Sequence, residues 1–209
     1  MRKKVYDKTV SGYSTSFEQP QRTVCRSYFV IRGTVISVIK IDGPPEDEGA
    51  DNFAVYKYTI LIIRKLKGPA QIKTGNEVIV ETSGNGALCS LSLTVGEEYV
   101  LSGAQTAAGE LRSFSYDIVY KVKDLGKMPL IRDYLLGTGR TTYKRNCNRG
   151  CTDISVTSSY CKTPDWTDPN FFFAIHCFSY NALCHMRNSE CSWYNADSCQ
   201  LSVMTVRIP

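Results

Sequence analysis

The chain has 209 residues and a formal net charge of +5, with 43% apolar and 22% charged residues. This composition is typical of a folded protein and excludes a disordered tail. The longest apolar runs, such as residues 171–175, are far shorter than the roughly 18 residues that cross a bilayer as a helix, so no membrane span is predicted. The nine cysteines are an odd number, so one of them stays unpaired, pairs with another chain or binds something.

Cysteine placement and charge both divide the chain near Asn146. Residues 1–146 contain two cysteines, 21 basic and 15 acidic residues, whereas residues 147–209 contain seven cysteines, 4 basic and 5 acidic residues. Seven cysteines in this short segment reach the density of a disulfide scaffold. The sequence therefore predicts two modules with a boundary near residue 146.

The cysteines also indicate the cellular compartment in which the protein is located. Closely spaced cysteines indicate an oxidising compartment, so we expect the protein to be extracellular. The sequence begins Met1-Arg2-Lys3-Lys4, like the basic start of a signal peptide, but the apolar segment that a signal peptide requires does not follow. No signal peptide is recognised in the sequence given.

The first half of the chain is typical of β-strands, because β-branched and aromatic residues recur in runs that prolines and glycines end. Five strands at this spacing suit a small closed barrel, and the OB-fold is the five-stranded choice. The predicted strands cover residues 27–41, 53–67, 77–81, 98–102 and 111–122.

A short helix is predicted over residues 129–136, because Pro129 suits the first helical position and Gly137 lies just past the end. Beyond Cys147 neither the helical nor the strand period is sustained. The sequence predicts a loop-rich module held together by bridges, with a small core of aromatic residues. The residues of this predicted core are Trp166, Phe171, Phe172, Phe173, Trp193 and Tyr194.

Six short motifs follow one another along these elements. They are Val30-Ile31-Arg32-Gly33-Thr34-Val35, Lys65-Leu66-Lys67-Gly68, Ala87-Leu88-Cys89-Ser90, Glu98-Tyr99-Val100-Leu101-Ser102-Gly103, Asp165-Trp166 and Cys191-Ser192-Trp193-Tyr194. As an ordered set they resemble the netrin-like domain of the tissue inhibitors of metalloproteinases, over about residues 13–194. The resemblance implies an all-β fold with short helices, in which a five-stranded OB-fold-like barrel precedes a small disulfide-rich module. It also implies an N-terminal extension over residues 1–12, a barrel domain over 13–146 and a cysteine-rich module over 147–209.

The resemblance further implies a set of disulfide bonds. The family pattern pairs six cysteines, and elimination leaves two more in the tail. The expected bonds are Cys25 with Cys147, Cys151 with Cys191, Cys161 with Cys184 and, by elimination, Cys177 with Cys199.

Two cysteines of the family pattern are replaced near the start of the chain. Tyr13 and Thr15 stand where the family has its first two cysteines, and their usual partners fall at Cys89 and Tyr116. Cys89 therefore lacks a partner, which accounts for the odd number of cysteines.

Members of the family are not enzymes; they resemble a substrate that the protease cannot turn over. The amino group and carbonyl of the first cysteine chelate the catalytic zinc of the protease, in the position that the attacking water would take. The resemblance therefore implies a secreted inhibitor of matrix metalloproteinases or adamalysin-like enzymes, without a cofactor or metal of its own. The implied protease contacts are Tyr13, Ser14, Thr15, Ser16, Ala87, Leu88, Cys89 and Ser90.

A second interpretation is a non-inhibitory netrin-like module that binds extracellular matrix, a glycosaminoglycan or a protein partner. Twelve residues precede Tyr13 in this sequence, and Tyr13 cannot form the bridge to Cys89. The excess of basic residues suits either a sulfated polysaccharide or an ordinary solvated face, whereas a disulfide-rich tail argues against nucleic acid. The basic residues in question are Arg64, Lys65, Lys67, Lys121, Lys123, Lys127, Arg140, Lys144, Arg145 and Arg149.

Metal binding by the tail is an alternative to disulfides, because His176-Cys177 and Cys184-His185 lie seven residues apart. No Cys-x-x-Cys pair occurs, so disulfides are favoured over a zinc site. Catalysis has little support, because the sequence offers no isolated Cys/His pair and no Ser/His/Asp arrangement.

Overall fold

Six strands between residues 29 and 121 form one sheet that closes on itself. The computed structural model describes residues 18–44, 53–85, 88–164, 167, 171–196 and 199. Within these residues the strands follow the order β1-β2-β3-β5-β4-β6, and β1 also pairs with β4. Five strands therefore form a ring, to which the sixth is added on β4. The strands are β1 (Phe29–Ile41), β2 (Val55–Lys67), β3 (Glu77–Ser83), β4 (Glu98–Gln105), β5 (Leu111–Arg112) and β6 (Val119–Lys121).

The all-β class with short helices and the ring of five strands are confirmed. All pairings in the ring are antiparallel except β3 with β5. Alternate residues of β1 point into the ring, where Phe29, Ile31 and Val35 are fully buried against side chains of β2, β3 and β4. This alternation is the strand period that the sequence shows.

The register of β1 against β2 shifts at three places, and one of them lies between Arg32 and Gly33. A Cβ atom at Gly33 would lie 2.6 Å from Ile60 Cγ2 and 2.7 Å from the carbonyl oxygen of Leu61. Glycine allows the two backbones to approach this closely, which a side chain would prevent.

The predicted fifth strand over residues 111–122 is wrong in its middle. It divides into β5 and β6, because the segment between them turns: Asp117 Oδ2 accepts a hydrogen bond from Phe114 N–H at 2.9 Å, and Asp117 N–H donates to the Phe114 carbonyl at 3.0 Å. Val122 belongs to a helix, α2 (Val122–Leu125).

Three more helices surround one face of the sheet. The predicted helix is confirmed as α3 (Pro129–Leu136), whereas α1 (Pro20–Arg26) and α4 (Tyr143–Asn148) were not predicted. Val30 and Val100, which point out of the ring, pack with Ile131 and Tyr134 of α3 in a second core. Leu183 from the tail joins that core, so the tail packs on the same face of the sheet as α3.

The tail contains more regular structure than the sequence predicts. It has a helix of 11 residues, α5 (Phe171–Asn181), a short pairing of β7 (Ile154–Ser155) with β8 (Cys161–Lys162), and a hairpin of β9 (Leu183–Arg187) and β10 (Glu190–Tyr194). Apolar residues occupy most sides of α5, so no amphipathic period marks it. Of the predicted aromatic core, Trp193 packs against two buried clusters of the tail, whereas Phe172 and Phe173 do not form a core, since 80% and 56% of their surfaces are exposed. None of the described helices is long and apolar enough to cross a membrane.

Four disulfide bonds join eight of the nine cysteines, and Cys89 is free. They are the pairs that the family resemblance and elimination imply. The first links α1 to α4, and the other three lie within the tail. The bonds are Cys25–Cys147, Cys151–Cys191, Cys161–Cys184 and Cys177–Cys199.

Candidate functional site

Three of the eight predicted protease contacts lie on an exposed loop between β3 and β4. Leu88 is 54% exposed, and Cys89 and Ser90 are half-buried. The other five, Tyr13, Ser14, Thr15, Ser16 and Ala87, lie outside the described residues. The structure therefore locates one half of the predicted contact and gives no geometry for the other half.

The conformation of this loop is fixed by one left-handed residue and by hydrogen bonds to neighbouring segments. Cys89 has a φ of 57°, in the left-handed region that residues other than glycine and asparagine seldom adopt. Its carbonyl accepts a hydrogen bond from Ser115 N–H at 2.9 Å, and Leu91 N–H donates to Thr82 Oγ1 at 3.0 Å. These two bonds hold the chain at and just after the left-handed residue, and on the preceding side Leu88 N–H donates to the Asn85 carbonyl at 2.9 Å.

The turn that interrupts the predicted fifth strand lies directly against this loop. Tyr116, next to Ser115, stacks on Phe114 with ring centroids 5.1 Å apart. Burial raises the pKa of Tyr116, and the negative charge of Asp117 raises it further. The resemblance places the two barrel ends of the replaced bridges at Cys89 and Tyr116, and the structure brings these two positions together.

A cavity of about 410 Å³ adjoins the turn. Tyr116 and Asp117 line one side of it, and Arg26 of α1 and Ser27 line another. Burial raises the pKa of Asp117, although its hydrogen bond from Phe114 N–H and the positive charge of Arg26 oppose the change.

The described chain begins beside this cavity. Glu18, its first residue, pairs with Arg26 and, at 3.3 Å, with Arg22. The start of the described chain, the cavity and the loop that carries Leu88 therefore occupy one edge of the molecule.

Two buried glutamines fix α1 at this edge. Gln21 is fully buried; its Nε2 donates to the Cys184 carbonyl at 2.7 Å, and its Oε1 accepts from Cys184 N–H at 2.8 Å. Gln19 caps α1 by accepting from Gln21 N–H at 2.6 Å and donates to the Ala182 carbonyl at 3.1 Å. The tail thus positions the segment that leads to the candidate site. Sequence reasoning missed both residues, because nothing local distinguishes them from surface glutamines.

The alternative of a zinc site in the tail requires Cys177 and Cys184 as ligands. This alternative is wrong, because both cysteines form disulfides. His176 instead stacks on Tyr180 at 4.3 Å, and His185 meets the ring of Tyr194 at 5.4 Å. Among the described residues, the single group of three side chains with metal-ligand atoms close together is Cys151, Cys184 and Cys191, and all three sulfurs are in disulfides.

Comparison with known protein families matches residues 14–200 to the tissue inhibitor of metalloproteinase family. The match begins within the segment of predicted protease contacts and covers the loop at Cys89 and seven further cysteines of the chain's tail. Comparison with curated proteins found no match. Because the family match spans most of the sequence, the chain belongs to the tissue inhibitor of metalloproteinase family.

Proposed function

We propose that the chain inhibits zinc metalloendopeptidases by placing a substrate-like wedge at the active-site zinc of the protease. The observation that carries the proposal is the family match over residues 14–200. Proteins of this family are inhibitors rather than enzymes, and a metalloproteinase-inhibitor-like function follows from membership. The family is also typically secreted, which supports an extracellular site of action.

The loop at Cys89 suits one half of such a wedge. A protease cleft binds an extended, rigid segment with least loss of conformational entropy when the segment is held before binding. In the family a disulfide to the Cys89 position provides this rigidity. Here the bond from Ser115 N–H to the Cys89 carbonyl and the bond from Leu91 N–H to Thr82 Oγ1 hold the loop without a bridge.

The other half of the proposed wedge is Tyr13, Ser14, Thr15 and Ser16. The free amino group and the carbonyl of Tyr13 would chelate the protease zinc once Tyr13 is N-terminal, since an uncharged amine and a carbonyl oxygen are both ligands that zinc accepts. Leu88, exposed on the loop between β3 and β4, would enter the protease cleft as a central contact.

The test compares the full chain with a chain that begins at Tyr13, each at micromolar concentration against matrix metalloproteinases and adamalysin-like enzymes. We expect inhibition from the form that begins at Tyr13. Leu88→Gln should weaken that inhibition by about tenfold or more, as truncation of a central contact residue does.

Val156→Gln is the matched control, because Val156 is also an exposed apolar residue but lies in the tail. Absence of inhibition by both forms of the chain would overturn the proposal. Equal losses from Leu88→Gln and Val156→Gln would remove the loop from the protease contact.

A second candidate function is a non-inhibitory binding module for extracellular matrix, a glycosaminoglycan or a protein partner. The replacement of the family's first two cysteines by Tyr13 and Thr15 favours it, because the bridge that clamps the wedge is absent from the sequence. Five basic side chains that line one cavity beside α4 also favour it.

A further inference from the structure

Five cationic side chains line one cavity of about 560 Å³ between the end of β2, the loop after α3 and the surface of α4. The other lining residues are leucine, glycine, threonine and asparagine, so no carboxylate lines the cavity. The five cations are Arg64, Lys65, Lys144, Arg145 and Arg149.

Other basic residues of the barrel region lie outside this cavity. Lys67 donates to the carbonyls of Val24 and Cys25, at 3.0 and 2.6 Å, whereas Lys65, within the cavity lining, donates to the Pro69 carbonyl at 3.0 Å. Lys123 and Lys127 pair with Glu97 and Asp124. Within the part of the chain that the structure describes, none of the five cavity cations pairs with a carboxylate. Their positive charge is therefore uncompensated by the protein itself.

The arrangement of the five side chains is set by the fold. Arg64 Nη1 donates to the Leu136 carbonyl at 2.6 Å, which holds the guanidinium at the loop after α3. Lys144, Arg145 and Arg149 are exposed and follow one another along the surface of α4 and its C-terminal cap. Like charges that line one cavity repel one another, and a bound anion relieves that repulsion.

We propose that this cavity binds sulfate groups of a sulfated polysaccharide, which rests on the second of the functions proposed above. Guanidinium groups bind tetrahedral oxyanions through two parallel hydrogen bonds, and lysines add point charges. Sulfate esters stay ionised at every physiological pH. A cavity of about 560 Å³ lies in the range of clefts that hold ligands much larger than one free anion. Five cations in one cleft match a polymer that presents several sulfates together.

The experiment measures binding of a heparin-derived hexasaccharide to the full chain by calorimetry. The variant Arg145→Gln/Arg149→Gln removes two cavity charges, both on exposed side chains, and should bind the hexasaccharide at least about tenfold more weakly. Lys73→Gln/Lys127→Gln is the matched control; it removes two exposed charges outside the cavity and should change the affinity less than about twofold. Near-ultraviolet circular dichroism verifies that both variants fold, and Lys144→Gln alone serves if the double variant does not.

The possible results distinguish failure of the cavity assignment from failure of the glycosaminoglycan-binding function. Equal weakening by both double variants would overturn the cavity assignment while leaving polysaccharide binding in place. No binding of the hexasaccharide by the unmodified chain would overturn the glycosaminoglycan function as well. The hexasaccharide stripped of its sulfates should not bind. If inorganic sulfate or phosphate binds as tightly as the sulfated hexasaccharide, the ligand is a free anion and the polysaccharide assignment is wrong.

Discussion

The backbone of Cys89 holds a conformation that an L-residue adopts only at a cost. Its φ of 57° lies in the left-handed region, where the Cβ atom approaches the following carbonyl oxygen at a cost of about 1 kcal/mol. Ser115, which donates to the Cys89 carbonyl, and Thr82, which accepts from Leu91 N–H, hold the loop in place against this strain. The strained residue is thus the one that the family uses as a bridge end and that this chain leaves unbridged.

Replacing Cys89 tests whether the strain is present. Cys89→Gly removes the Cβ atom and should leave the protein about 1 kcal/mol more stable than Cys89→Ala, which keeps the Cβ atom and loses only the thiol. Urea unfolding of the two variants, with all four disulfides intact, gives the difference. Equal free energies of unfolding would show that the loop tolerates a side chain without strain.

A charged cross-strand cluster supports the ring at the element scale. Glu81 of β3 is 3% exposed and lies opposite Lys57 of β2 and Arg112 of β5 in the strand register. Its carboxylate pairs with Lys57 at 2.5 Å and with Arg112 at 3.4 Å. The cluster therefore spans three neighbouring strands, including the one parallel pairing of the ring.

The same cluster predicts a pH dependence of stability. Burial favours the neutral acid, but hydrogen bonds and charge from Lys57 and Arg112 outweigh it, and the pKa of Glu81 is lower than its ordinary value of 4.5. Because the folded-state pKa is the lower one, the stabilisation by Glu81 is complete above pH 4.5 and is lost as the pH falls through the folded-state pKa. Glu81→Gln should lower the free energy of unfolding by about 1 to 3 kcal/mol at pH 7, and this difference should shrink at pH 3.

Thermal unfolding at several pH values between these limits measures the effect. Glu77→Gln, an exposed position on the same strand, is the control and should follow the unmodified protein at every pH. A Glu81→Gln deficit that is as large at pH 3 as at pH 7 would contradict the role assigned to the carboxylate.

At the scale of the whole molecule, the parts that depend on local pattern could be predicted from the sequence. The alternation of β1 and the proline and glycine that flank α3 are local signals, and the structure has these elements nearly where they are expected. The turn at Asp117 could not be predicted, because Phe114, Tyr116 and Ile118 alternate as in a strand. One side-chain hydrogen bond from Phe114 N–H to Asp117 breaks the pattern.

Elements that depend on distant residues also escaped prediction. Helix α1 is short, and its buried glutamine finds its partners 130 and 163 residues further along the chain. The exposed loop of the candidate site could be located by its motif, whereas the cavity at Arg26 and the cationic cavity at α4 are formed by segments far apart in sequence.

The division of the chain into modules 13–146 and 147–209 stays a prediction, and Gln21 is the residue through which their coupling can be tested. Its carboxamide satisfies both the N–H and the carbonyl of Cys184 in a fully buried position, while Asn146 Oδ1 accepts from Met186 N–H at 3.2 Å nearby. Gln21→Ala would leave the buried backbone groups of Cys184 without partners.

We expect Gln21→Ala to lower the free energy of unfolding by at least about 2 kcal/mol, since each of the two unsatisfied buried groups costs about 1 to 3 kcal/mol. The variant should also expose the tail to limited proteolysis before the ring, because the lost bonds join α1 to the tail. Gln71→Ala is the control: Gln71 is exposed, and its side chain makes one weak contact of 3.5 Å with the hydroxyl of Tyr28. If the two variants unfold at the same urea concentration and are cleaved at the same rate, the buried glutamine does not couple the modules, and the edge that carries the candidate site is held by the Cys25–Cys147 bond and packing alone.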